Sequence, residues 1–392
     1  MTLRVLMTAD AVGGVWTYAL DVARGLGAHG VRTILALSGP SPDPNQRRAA
    51  AAVPSLTLID TGLPLDWLAE TPDEVAAAGA AIAKLASDHR VDLIHLNTPA
   101  LAAPSPSSLR GGGKGREGPT KVLLSREPEA DEGEGAFEVP LVVASHSCVA
   151  SWWEAAATGP LPADLRWRTD LHAAGLRAAT RTIAPTAAFA ATTHRLYGVR
   201  PTVVRNGRDP LAKREAPMHD AAITVGRLWD KGKNVRVLDR AAARLPVPLF
   251  AAGSTSGPNG DAIALEHAHP LGHLSDADLG ERLAARPVFV SAALYEPFGL
   301  AVLEAAAAGC ALVLSDIPTF RELWDGCATF VDPHDDRAFA AAINALIGDQ
   351  NLRLARGEAA RTRARRFTPQ ATAAETLAIY RTLLPTARAV AA

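Results

Sequence analysis

Two glutamates, two cations and a glycine pair carry the chemistry legible in this chain. In Glu296-Pro-Phe-Gly-Leu-Ala-Val-Leu-Glu304, the first glutamate stands just before a helical pattern that opens at Gly299 and Leu300. The second lies inside that helix, among Ala301, Val302, Leu303 and Ala305–Ala308, in a core-like setting. A carboxylate there needs a partner. Acids do not serve phosphates directly, so hydroxyls such as a ribose diol are the natural partner. The plainer reading is that both acids only neutralise the positive end of the Gly299 helix. Upstream, Val225-Gly-Arg227-Leu-Trp-Asp-Lys-Gly-Lys233-Asn234 follows a strand pattern. Arg227 as a planar fork and Lys233 as a point charge suit a diphosphate; a solvated basic loop is the bland alternative. Gly13-Gly14 sits between the first strand and the first helix, where backbone N–H groups face an anion and glycine permits close approach. A tight turn without a ligand explains that pair equally well.

Two other glycine-rich stretches do not qualify. Gly25-Leu-Gly27-Ala-His-Gly30 matches a dinucleotide fingerprint but follows the first helix instead of opening it, so it reads as a helix cap and turn. That removes the main support for an NAD-dependent dehydrogenase. Gly111-Gly-Gly-Lys114-Gly115 lacks the hydroxyl residue after the lysine and a preceding strand, so it is not a phosphate loop.

The elements that would position these residues alternate strand and helix almost throughout, the signature of parallel sheets covered by helices. Strands are expected at 3–9, 33–37, 57–59, 91–96, 141–144, 182–184 and 203–205, then again at 222–225, 248–252, 288–291 and 311–315. Helices are expected at 15–26, 74–87, 164–179, 235–244, 275–285, 299–308, 337–347 and 352–365. The polar stretch Asp209–Asp220, with Pro210 and Pro217, separates the two series. The expected domains are therefore 1–208 and 209–366. Pro104–Ala136, rich in glycine and mixed charge, reads as a mobile insertion in the first.

Composition narrows the classes further. Lys+Arg is 40 and Asp+Glu 41, a net charge of −1, which argues against a sequence-blind nucleic-acid binder and allows at most peripheral membrane contact. No run reaches the ~18 apolar residues of a spanning helix. Cys148, Cys310 and Cys327 are dispersed, so a disulfide framework or thiolate metal site is not expected. The opening Met1–Asp10 has no signal-peptide architecture, and a cytoplasmic protein is the expectation. Glu266-His-Ala-His269-Pro-Leu-Gly-His273 has metal-ligand residue types, but Pro270 and Gly272 break the helix that would align them, and a loop is expected. Trp152-Trp153 reads as core aromatics in preference to a stacking platform.

These residues carry a resemblance. Gly13-Gly14, Val143-Ala-Ser-His146, Val204-Arg-Asn206-Gly207, Gly226-Arg227 with Lys233, Gly272, and Glu296 through Glu304 are together similar to the retaining GT-B glycosyltransferases of the family-four clan, over nearly the whole chain. The resemblance implies an α/β fold of two facing Rossmann-like, doubly wound domains with a cleft between them. It also implies that a C-terminal helix, 367–392, returns to complete the first, acceptor-side domain. Arg227 and Lys233 would hold a donor diphosphate, Glu304 its ribose and Glu296 the transferred sugar. Phe298, Gly299 and Leu300 would line the donor through their backbone, Leu274 would lie by the base, and His146 would stand near the reacting centre. The implied reaction is retaining transfer of a hexose from a UDP- or GDP-sugar to a saccharide, lipid-linked or small-molecule acceptor, with no cofactor and no metal. In the front-face mechanism of that family, the leaving phosphate helps deprotonate the acceptor. The chain departs from the family at two points: Arg205 replaces the usual proline before Asn206-Gly207, and the Arg227–Lys233 spacing is one residue longer, leaving Lys231 as a rival cation. A GT-B sugar phosphorylase, a nucleotide-sugar epimerase and a non-catalytic nucleotide-sugar-binding protein are the competing readings.

Overall fold

The computed structural model describes residues 2–103, 122–125, 136–212, 214 and 216–384. The strands of the first half are β1 (Arg4–Asp10), β2 (Arg32–Ser38), β3 (Leu56–Asp60), β4 (Leu93–Leu96), β5 (Val122–Ser125), β6 (Ala136–Val139), β7 (Leu141–Ala144), β8 (Arg181–Ala184) and β9 (Thr202–Val203). All but β5 and β6 form one parallel sheet in the order β3-β2-β1-β4-β7-β8-β9. The second half carries β10 (Ala222–Val225), β11 (Leu249–Ala252), β12 (His269–Gly272), β13 (Val288–Ser291), β14 (Leu312–Ser315) and β15 (Ala328–Val331). These make a second parallel sheet in the order β12-β11-β10-β13-β14-β15.

Both sheets are buried on two faces, which is why their strands read as continuous apolar runs. In β1, Leu6 points into one core with Ile34 and Ile94, while Val5 and Met7 point into the opposite core with Leu35 and Leu93. The second sheet repeats the division, with Ile223 and Phe289 on one face and Ala222, Val288 and Val290 on the other. In each sheet the order winds outward from β1 or β10, then reverses through β4 or β13. The reversal opens a crevice at the carboxyl ends of the strands. Gly13-Gly14 follows β1, and Gly226-Arg227 follows β10, so each candidate loop sits at a reversal point.

The last helix, Pro369–Leu383, leaves the second half and packs on the helix Gly14–Gly27 of the first. Ala373, Leu377 and Tyr380 join the core that contains Val5 and Trp16. A Cβ on Gly25 would lie 2.4 Å from Ala373 Cβ. Gly25 is thus a helix-packing residue and not part of a cap, which corrects the expectation for that stretch; Gly30, at φ +78°, makes the turn.

Other expectations also change. The sequence of 266–273 reads as a loop; His269–Gly272 within it is an edge strand, where Pro270 costs no ladder bond. Part of the segment 104–136 is ordered as an antiparallel pair, Val122↔Val139 to Ser125↔Ala136, with β5 beside the helix Pro72–Asp88. The rest of that expected insertion lies outside the described residues, as does the end of the C-terminal helix region beyond 384. Helices Pro44–Ala51, Val149–Ala156, Ala187–Tyr197 and Pro318–Trp324, and strand β15, join the expected set.

Candidate functional site

The two reversal points meet. A Cβ on Gly13 would lie 3.6 Å from Arg227 Nη1, and one on Gly14 would lie 3.3 Å from Leu300 Cδ1. The loop after β1 therefore rests against the loop after β10 and the start of helix Leu300–Ala308. That helix begins at Gly299, whose φ of +94° favours glycine, and no side chain caps its first N–H groups. Gly13 is likewise an N-cap without a side-chain bond for helix Gly14–Gly27. Two uncapped helix N-termini and a guanidinium thus converge, an arrangement suited to an anion.

Lys233 Nζ lies 2.6 Å from Glu296 Oε2, with the two side chains 21% and 17% exposed. Lys231 is exposed, so the loop aims Lys233 into the cleft and leaves its rival outside. Arg227 donates from Nη2 to Asp230 Oδ2 at 2.9 Å. The other oxygen of Asp230 accepts from Gly232 N and from Trp152 Nε1, both at 2.9 Å. Burial works to raise the Asp230 pKa, but the charges of Arg227 and Lys233 outweigh it and leave it lowered. Asp230 is an ionised brace for the arginine.

Glu304 is buried, and its partner is a residue that the sequence patterns did not single out. Arg208 donates from Nε to Glu304 Oε1 at 3.0 Å, from Nη1 to Asp21 Oδ2 at 3.2 Å and from Nη2 to Asp276 Oδ2 at 2.6 Å. Burial dominates the Glu304 carboxyl and pushes its pKa up to about 7, although the Arg208 charge opposes the shift. Asp21 is raised for the same reason. The expected need of Glu304 for a partner is met here by Arg208 through one oxygen; Oε2 makes no bond among the described residues.

His146 follows β7, half-buried, edge-on to Tyr18 at 4.5 Å. Its Nε2 lies 2.9 Å from Asn97 Oδ1, while Asn97 Nδ2 donates to Thr8 O at 2.6 Å. With the Asn97 amide so oriented, His146 carries its proton on Nε2 and presents Nδ1 as an acceptor. Burial lowers its pKa to about 4, so it is neutral near pH 7. Leu274 is half-buried against the second-half core, two residues from Asp276. Phe298 is 3% exposed and stacks edge-on to Phe367, so only its backbone is available to a ligand.

Side chains also tie the halves together. Tyr295 OH accepts from Cys148 N at 3.1 Å, and Thr186 Oγ1 donates to Pro297 O at 2.9 Å. Glu322 caps helix Ala187–Tyr197 through Ala187 N at 3.0 Å and Ala188 N at 2.8 Å, and Arg205 pairs with it at 2.9 Å. Arg205 thus acts as a strut between the halves. Trp152 and Trp153 are not core aromatics as expected. Both are half-buried, and Trp152 bridges to Asp230 because an indole N–H at a cleft seeks an acceptor. The signals that would have found Arg208 and Asp230 are faint: a cation just after the Asn206-Gly207 turn, and an acid between Arg227 and Lys233.

The chain matches the family model of the Glycosyl transferase 4-like domain over residues 13–207 and that of Glycosyl transferases group 1 over residues 213–363. It is similar to sucrose-phosphate synthase of Zea mays, with 42% identity over 88 residues, 20% of this chain and 8% of that protein. The chain thus spans a small part of the length of that relative. Among solved structures it is similar to sucrose-phosphate synthase from Thermosynechococcus elongatus, with a TM-score of 0.75, 19% identity, and 97% of this chain and 99% of that one covered. The Anabaena protein HepE in complex with UDP-glucose is similar at a TM-score of 0.69 and 20% identity, over 96% of this chain and 99% of that one.

Proposed function

The chain belongs to the GT-B glycosyltransferases, with a Glycosyl transferase 4-like domain followed by a Glycosyl transferases group 1 domain, and from that membership we propose that it moves a hexose from a UDP- or GDP-sugar to an acceptor hydroxyl with retention of configuration. The observation that carries the proposal is the convergence of Arg227, Lys233 and the uncapped Leu300 helix at the reversal point of the second sheet, faced by Gly13-Gly14. The similar HepE structure holds UDP-glucose, which favours a uridine donor.

In this reading the diphosphate lies on Arg227 and Lys233. Their charge, already in place, stabilises the departing diphosphate as the glycosidic bond breaks. Asp230 fixes the Arg227 fork, and Glu296 holds Lys233 until the donor arrives. Glu296 then faces the hexose, and Glu304 accepts from the ribose through Oε2, which makes no bond among the described residues. His146, neutral and donating to Asn97, offers Nδ1 to a sugar hydroxyl. The contact of the two halves excludes water that would otherwise hydrolyse the donor. The cytoplasm is the proposed site of action; no described helix is long and apolar enough to cross a membrane.

The test measures nucleotide release from UDP-glucose and GDP-mannose with and without added acceptor sugars, in the absence of inorganic phosphate. Acceptor-dependent release supports transfer. No release here, but sugar phosphate formed from an oligosaccharide once inorganic phosphate is added, would make the enzyme a phosphorylase, and conversion of the donor without release would make it an epimerase.

A further inference from the structure

A recess opens on the first half at the carboxyl ends of the adjacent strands β2, β1 and β4. It is lined by Asp10, Ser38, Asp66, Asn97 and Thr98, with Leu65 as an apolar wall, and offers about 30 Å³ to water-sized groups. A hydroxyl fits such a space. Ser38 is 7% exposed, and its Oγ has no hydrogen-bond partner among the described residues. A buried hydroxyl left unbonded is destabilising, and a ligand hydroxyl in the recess would satisfy it.

The two carboxylates have capacity to spare. Asp10 uses Oδ1 alone to accept from Val12 N at 2.9 Å and Gly13 N at 3.2 Å, leaving Oδ2 without a bond among the described residues. Asp66 Oδ2 accepts from Thr98 Oγ1 at 2.5 Å. Burial raises both carboxyls, and the charge of Asp10 raises Asp66 further. Such a pair attracts hydroxyl donors and repels a phosphate or carboxylate.

The recess also borders the proposed reacting centre on two sides. Asp10 holds the Gly13 backbone that lies against Arg227, and Asn97 holds His146. We propose that this recess is the acceptor subsite and that it takes neighbouring hydroxyls of an uncharged polyol, discriminating against phosphorylated acceptors. Asp66 and the unbonded Ser38 hydroxyl accept and donate to one hydroxyl pair, while the hydroxyl to be glycosylated points past Asn97 toward the cleft. This assignment rests on the glycosyltransferase reading above, since it supplies that reaction's second substrate.

The test is ligand-observed NMR with the full chain and saturating UDP, using glucose and myo-inositol as probes against their monophosphates. The expected result is binding of at least one neutral polyol and weaker binding of its monophosphate. Asp66→Asn should weaken the polyol about tenfold and Ser38→Ala about fivefold. Ser38→Ala should leave the ligand-free melting temperature unchanged or higher, so it remains informative if Asp66→Asn folds poorly. No neutral polyol bound, tighter binding of the monophosphate, or undiminished binding by Ser38→Ala would each overturn the assignment. Failure of the donor reading shows separately, as absence of UDP and GDP binding to the unaltered chain.

Discussion

Arg208 donates from Nε to Glu304 Oε1 at 3.0 Å, and its other nitrogens reach Asp21 in the first half and Asp276 in the second. The side chains of Arg208, Asp21 and Glu304 are 11%, 3% and 10% exposed. Removing this cation leaves the buried Glu304 without its charged partner, while Asp21 keeps Arg24 at 2.7 Å. Arg208→Ala should therefore cost about 3–5 kcal/mol of stability in the absence of ligand. Glu304→Gln, which keeps an acceptor for Arg208, should cost much less. Thermal melts of both variants check the order, and equal losses would show that Arg208 is no keystone.

Glu304 also predicts a pH effect. Its folded pKa is raised from 4.5 to about 7. A raised carboxyl contributes stability that is fully present below the unfolded value and lost as pH rises through about 7. Glu304→Gln does not titrate, so it should gain on the wild type as pH rises across that window. Uridine, which has no titrating phosphate, should bind the wild type about fivefold more tightly at about pH 8 than at about pH 6, because an ionised carboxylate makes the stronger bond to a diol. Calorimetry at both pH values should show this difference lost in Glu304→Gln.

Glu296 and Lys233 are coupled at 2.6 Å, so a change to one acts on the other. In Glu296→Gln the lysine is released from a competing charge. Free UDP should then bind as well as before or about threefold more tightly, while turnover of the nucleotide sugar falls at least about tenfold. Weaker UDP binding in this variant would mean that Glu296 holds the lysine productively and does not compete with the phosphate.

Trp152 reaches Arg227 only through Asp230. Trp152→Phe removes the indole donor at 2.9 Å but keeps an aromatic ring. UDP affinity should fall about threefold to tenfold, the cost of one hydrogen bond to a charged group, and uridine affinity should not change. Parallel titrations of the two ligands make the comparison.

Much of this architecture was legible because buried parallel strands are apolar throughout. Ala222–Val225, Leu141–Ala144 and Val288–Ser291 match their expected bounds. Helix Pro44–Ala51 escaped because its face is polar, with Ala50 its buried residue; the Asp43/Gln46 capping box and Pro44 in the first turn mark its start. β12 escaped because Pro270 and the exposed His269 suit an edge strand as well as a loop. Within the site, Arg227, Lys233, Glu296, Glu304, Gly13 and Gly14 fall together around the cleft as their motifs suggest. Their partners did not announce themselves. Arg208 meets Glu304 across 96 positions and Trp152 meets Asp230 across 78, and no local spacing encodes contacts between two domains.

Calorimetric titration of UDP, GDP and uridine into the wild type, Arg227→Ala, Lys233→Ala and Lys231→Ala tests the donor site most directly. A charge-assisted contact to phosphate is worth about 1.5–3 kcal/mol. The wild type should bind UDP or GDP, with the diphosphate weakened about tenfold or more by Arg227→Ala and Lys233→Ala, uridine nearly unaffected, and Lys231→Ala like the wild type. Equal losses for uridine and UDP, or no nucleoside diphosphate bound by the wild type at all, would contradict the account.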